Sequence, residues 1–230
     1  MKKIILTAAA VFAFSFANAQ DLKSKKGENY LPQSGDWAIG FNADGLFSYV
    51  GNAFNNSGNA APSVDFQNAG TFVGKRFTSD KTAQRVIANF KVGSDTEEIA
   101  GEKTTNSGFD LTAGLGKEWR RGSTRLQGFY GADLLLNISS TSEKITDTGY
   151  ERKETSGLGF GIGAQGFIGA EYFLFPKISI GAQYTYGALI AIEGEGKITE
   201  TGEDEVKTGK GSSFGIGGVG VSSINLTLHF

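Results

Sequence analysis

The chain has no cysteine, one histidine, one methionine and three prolines in 230 residues. Without cysteine there is no disulfide to staple the fold and no thiol through which an N-terminal lipid could be attached. One histidine and no cysteine leave no zinc-ligand spacing. That histidine, His229, stands one residue from the end, where it reads as an interior polar residue of a closing strand. It cannot serve a Ser-His-Asp arrangement at the opposite end of the molecule. The glycines from Gly157 to Gly166 lack the following helix that a phosphate-binding loop needs. No catalytic, cofactor-binding or metal-ligating residue is therefore expected. After Gln20 no stretch approaches the ~18 apolar residues of a spanning helix. If the rest of the chain enters a membrane, it must do so as strands.

The first twenty residues look different from the rest. Lys2 and Lys3 precede an apolar stretch from Ile4 to Phe16, and Ala17-Asn18-Ala19 has the small-x-small pattern that signal peptidase cuts. A cleaved secretory signal is expected over 1–20, with Ala17, Ala19 and Gln20 forming the cleavage region. Its removal takes Lys+Arg from 22 to 20 against 24 Asp+Glu, a net charge of about −4, which gives no reason to expect a nucleic-acid partner. Residues 21–34, with Lys23, Lys25 and Lys26, read as a flexible lead-in, and 35–230 as one β domain.

Within that domain the side chains alternate. In "GAEYFLFPKISIGAQYTYG", Ala170 and Tyr172 before Pro176, and Ile178, Ile180, Ala182, Tyr184 and Tyr186 after it, take every second place. A period of two means strands with one apolar and one polar face. The same pattern recurs in eight segments, starting at Trp37 and ending at Phe230; the second, about Phe66 to Phe77, is the least regular because Phe77 shares a face with Lys75. Ser79-Asp80-Lys81, Arg121-Gly122-Ser123 and Phe175-Pro176 are tight turns. They alternate with long polar segments at Tyr49–Asp65, Asp95–Ser107, Ser139–Ser156 and Glu193–Ser213. Strict alternation of short turns and long loops is a habit of outer-membrane barrels.

Glycine, at 34 residues, is about twice the usual ~7 %. An eight-strand barrel is just filled by its own side chains, so six to eight large apolar residues per strand would overfill it. Pointed outward they fit lipid, and Gly, Ser, Thr and Asn fit the narrow interior. Aromatic residues gather near the strand ends, with Trp37, Phe77, Trp119, Tyr172 and Phe230 at the turn end and Phe47, Phe109 and Phe214 at the other, as membrane interfaces favour.

With the Ala17-Asn18-Ala19 site, the "YFLFPKISIGAQYTYG" hairpin and the last strand "INLTLHF", the chain resembles the small outer-membrane β-barrel proteins of the OmpA/OmpX type. The resemblance implies an all-β, eight-stranded antiparallel up-and-down transmembrane β-barrel in the outer membrane of a Gram-negative bacterium. It also implies outer-membrane lipid and the barrel-assembly machinery as partners, with Phe230 as the assembly signal. It says little about activity, because one fold hosts many functions.

The expected interior network is Asp44, Asp110, Glu118, Asp133 and Glu171 against Arg76, Arg85, Lys91, Arg125 and Lys177. Five charges of each sign cancel, as buried charges require, and a pore would favour one sign. Glu118 and Arg125 flank one turn and are the expected pair. Glu193, Glu195, Glu200, Glu203, Asp204 and Glu205 read as a solvated acidic loop rather than a metal site. The function expected is a structural or protein-interaction role, alone or as an accessory subunit with other outer-membrane proteins. The alternative is a narrow porin-like channel for ions or small solutes.

Overall fold

The computed structural model describes residues 22–42, 71–217 and 223–230. The expected signal segment with Ala17, Ala19 and Gln20, the charge at Asp44, the segment Tyr49–Asp65 and the start of the second strand lie outside them. The described residues form strands and turns and contain no helix: β1 (Trp37–Asn42), β2 (Thr71–Ser79), β3 (Thr82–Ile99), β4 (Glu102–Arg121), β5 (Leu126–Asp147), β6 (Tyr150–Thr155), β7 (Gly159–Phe175), β8 (Ile178–Glu193), β9 (Lys197–Glu200), β10 (Val206–Lys207), β11 (Gly211–Gly217) and β12 (Ser223–His229).

All pairings are antiparallel. Following hydrogen bonds from β1 leads through β2, β3, β4, β5, β7, β8 and β12 and back to β1, a closed ring of eight strands. β11 pairs with Gly187–Glu193 of β8 and β12 with Ile178–Gln183, so the two run along β8 in one line. β6, β9 and β10 stand beyond the ring and widen the far end of β5.

Two of the segments expected to be loops continue the ladder instead. β3 and β4 stay paired up to Ile99 and Glu102, and β5 runs to Asp147 before β6 returns along it. Thr96, Thr104, Thr105, Thr141 and Thr146 are β-branched and suit a strand wetted on both faces. Polarity alone does not prevent pairing. The tight hairpin at Ala100-Gly101, with φ of 53° and 95°, uses the left-handed conformations that match strand twist.

Residues 22–36 make defined contacts of their own. Ser24 accepts the Gly27 N–H and Glu28 accepts the Ser24 N–H, closing a small turn. The chain then crosses the turn end of the ring. Lys177 N–H donates to the Tyr30 carbonyl, Gly35 N–H to the Phe77 carbonyl and Ser34 N–H to Asp80 Oδ1. Pro32 is buried beneath this crossing.

Burial is inside-out. Val86, Phe90, Leu115, Leu134, Ile162, Ile168, Ile190 and Phe214 are all more than half exposed on the outer face. Lys75, Arg85, Glu118, Arg120, Asp133 and Glu171 are buried within the ring. Four phenylalanines join them inside, Phe77, Phe129, Phe167 and Phe173. Glycine makes room for these side chains. Phe129 registers with Gly169 and Phe167 with Gly131, while Glu171 faces Gly181, Gln165 faces Gly187 and Asp133 faces Gly116. A Cβ at Gly131 or Gly169 would overlap the opposing ring, so the surplus of glycine is in part a packing requirement.

Candidate functional site: a balanced charge cluster inside the ring

Near the turn end, three cations and three carboxylates converge from five strands. The parity of each strand fixes which side chains enter. Glu118 and Arg120 both point inward from β4, and Asp133 and Glu171 come from β5 and β7. Lys75 and Arg85, which register across β2 and β3, supply the remaining cations.

Glu118 is the hub. Its Oε2 lies 2.8 Å from Lys75 Nζ and 3.0 Å from an Arg85 guanidinium nitrogen, and its Oε1 is 3.2 Å from Arg120. Arg85 also reaches Asp133 through Nε at 3.2 Å and donates to Gln183 Oε1 at 3.3 Å. Arg120 bridges to Glu171 with its other nitrogen. Gln165 donates to Asp133 at 3.0 Å, and Ser179 donates to Glu171 at 3.2 Å. Three positive and three negative groups cancel. Balance of this kind is what permits charges at nearly zero exposure, because an unpaired ion there would keep its full desolvation cost.

Each cation also stands on an aromatic face. Arg85 lies 3.7 Å from the Phe167 ring centre and Lys75 4.9 Å from that of Phe129, while Arg120 is 5.4 Å from Phe77 and 5.9 Å from Phe173. Such contacts strengthen when water is excluded. His229 closes the layer, with its ring centre 5.0 Å from that of Phe173 and 5.7 Å from Phe77. Its Nε2 is 3.2 Å from Ser179 Oγ. This is no catalytic triad, because Glu171 bonds Ser179 rather than orienting the imidazole, and His229 Nδ1 has no hydrogen-bond partner.

Of the expected network, Arg85, Glu118, Asp133 and Glu171 meet here, and several others do not. Arg76 is exposed on the outer face, 5.5 Å from the Trp37 ring, and Lys75 occupies the inward position instead. The second strand is thus one residue out of the expected phase, and Phe77, expected among the outward aromatics, is buried. Arg125 does not pair with Glu118; its guanidinium lies 3.6 Å over the Tyr30 ring at the rim. Lys177 forms an ion pair with Asp36 at the turn end. Asp110 is half-buried farther along β4 and accepts from Asn137 at 2.9 Å. Lys91 registers with Asp110 but is exposed. The expected network omits Lys75 and Arg120, and the expected aromatic positions omit Phe129, Phe167 and Phe173. Arg120 shares parity with Glu118, and Phe167 and Phe173 share it with the glycines of β7, so strict alternation held the necessary signal.

The far end differs. A cavity of about 410 Å³ there is lined by Glu143, Glu154, Glu193, Thr208 and Lys210 among others, and it opens toward solvent. Among the described residues no group of His, Cys, Asp and Glu has the arrangement to hold a metal ion. No protein-family profile matches the chain, nor does any curated protein or solved structure.

Proposed function

We propose that the chain is an outer-membrane β-barrel protein with a structural or protein-interaction role, its interior blocked near the periplasmic end. The observation that carries this reading is the inverted burial. Leu115 and Leu134 are each 68 % exposed on the outer face, while Glu118 is fully buried inside. In water such an outer surface would be a very large apolar patch. In a bilayer it is the lipid-facing band of a barrel whose strands are long enough to cross.

Three features support a closed rather than a conducting interior. The cluster around Glu118 is neutral, the inner phenylalanines fill the space between its members, and residues 22–36 cross the same end. Selective pores instead present rings of one charge sign to water. The opposite end suits interaction. From Ile138 to Asp147, β5 continues for ~30 Å of strand at ~3.3 Å per residue, and β4, β6 and β9 widen it into a sheet. A projecting sheet of this kind is a natural docking surface for another outer-membrane or extracellular protein. The signal-like segment at 1–20 and Phe230 fit a secreted precursor handed to the barrel-assembly machinery.

Electrophoresis of membranes with and without boiling tests location. A barrel should run faster unboiled, and recovery of the protein from the periplasm without detergent would overturn the reading. Planar-bilayer recording tests the closed interior. Purified protein should give no sustained openings, and selective, long-lived conductance would favour the narrow channel.

A further inference from the structure

The outward turn of Arg76 leaves two cations on the outer face, where the apolar band ends. Trp37, Arg76, Gln84 and Lys117 stand in one row across β1 to β4, each in register with the next. Arg76 and Lys117 are exposed and two strand spacings apart, ~10 Å. Each is steadied by an indole: Arg76 lies 5.5 Å from the Trp37 ring centre, and Lys117 lies 5.4 Å from that of Trp119. Inside the ring every cation of the cluster has a carboxylate. For these two outer cations the described residues supply aromatic faces and no salt bridge.

The next row toward the far end is Ile39, Gly74, Val86 and Leu115. It is apolar except for a gap. Gly74 lies two residues from Arg76 on the same face of β2, and a Cβ built there would meet only the Val86 carbonyl, at 3.9 Å. An open slot between Ile39 and Val86 therefore runs up from the cationic row into the apolar band.

We propose that this face binds an anionic phospholipid of the periplasmic leaflet. Its phosphate would be held between Arg76 and Lys117 with the Gln84 amide, and an acyl chain would lie in the slot at Gly74. Guanidinium and ammonium groups match a phosphodiester in charge and donor geometry. Indoles suit the headgroup level, and basic residues there attract anionic lipid. The proposal rests on the membrane reading above and goes beyond it by assigning a lipid class and a place.

Native mass spectrometry tests this on protein extracted from membranes in detergent and supplied with phosphatidylglycerol or phosphatidylcholine. The wild type should retain phosphatidylglycerol preferentially. R76Q/K117Q should lower that adduct at least fivefold, and G74L, which keeps both charges, should lower it as well. K153Q, at the far end, should leave it unchanged. Equal retention of phosphatidylglycerol by wild type and R76Q/K117Q overturns the site, as does equal retention of the two lipids by the wild type. Displacement of the adduct by inorganic phosphate alone, with G74L indistinguishable from wild type, overturns the lipid assignment in favour of a simple anion site. Heat-modifiable migration of every variant shows that the barrel is intact. Its absence in the wild type would instead defeat the membrane reading itself.

Discussion

Gly131 of β5 lies directly across from Phe167 of β7, and two residues away the arrangement reverses, with Phe129 of β5 facing Gly169 of β7. The two rings tilt toward each other with centres 6.3 Å apart, and each fills the space its opposing glycine leaves. Arg85 and Lys75 rest on these rings. The pairing of ring and glycine thus sets the floor on which the charge cluster stands.

Gly131→Ala should therefore destabilise the protein although alanine is a better strand residue. The added methyl overlaps the Phe167 ring and the Lys117 carbonyl, and overpacking of this kind costs ~1–3 kcal/mol. Gly166→Ala, where a Cβ would find only the Gly131 carbonyl at 3.8 Å, should be nearly neutral. Urea-unfolding midpoints in lipid vesicles compare the two.

Glu118 contacts all three inner cations, so Glu118→Gln leaves three positive charges facing two carboxylates. Breaking a buried network from one side costs ~3–5 kcal/mol. K75M/E118Q restores two against two and should recover a large part of that loss, a coupling that a double-mutant cycle measures. Arg125→Leu, by contrast, removes a rim cation that stands outside the cluster and should cost less than Glu118→Gln. Strict additivity of the Lys75 and Glu118 substitutions would contradict the cluster.

Leu134 tests the outer solvent. It is 68 % exposed. In water Leu134→Arg would be within ~0.5 kcal/mol of neutral; facing lipid near mid-depth it should cost ~2–4 kcal/mol. Unfolding from vesicles separates these outcomes.

Residues 22–36 give a prediction of local stability. The Arg125 guanidinium lies over the Tyr30 ring, and Asp36 pairs with the Lys177 side chain. Tyr30→Ala with Asp36→Asn should loosen the crossing without unfolding the ring. Trypsin should then cut sooner at Lys23, Lys25 and Lys26, with the unboiled gel band kept. Unchanged cleavage rates would mean that these contacts do not hold the segment.

The fold was legible because alternation is a local property: Leu126 to Ile138 and Ile178 to Ile192 announce their faces without reference to any partner. The cluster was only half legible. Glu118, Asp133, Arg85 and Glu171 sit on well-phased strands, whereas Lys75 sits on β2, where Phe77 next to the polar face suggested the opposite phase. An inward phenylalanine looks like a lipid-facing one until the glycine across from it is known, and that partner comes from register. The pairing of Tyr30 with Arg125 likewise depends on a tertiary crossing that no period in the sequence encodes.

The seam between first and last strand has a temporal meaning. Trp37 N–H donates to the Phe230 carbonyl at 2.8 Å, and Phe230 N–H returns to the Trp37 carbonyl at 2.9 Å. The contact that shuts the ring thus joins residues 193 positions apart (230 − 37). Until β12 is in place, β1 has no neighbour on one side. An unpaired strand edge exposes its backbone donors and acceptors to any chain nearby. Closing the ring thus depends on a contact of very large sequence separation, the kind that loop-closure entropy makes slow to form.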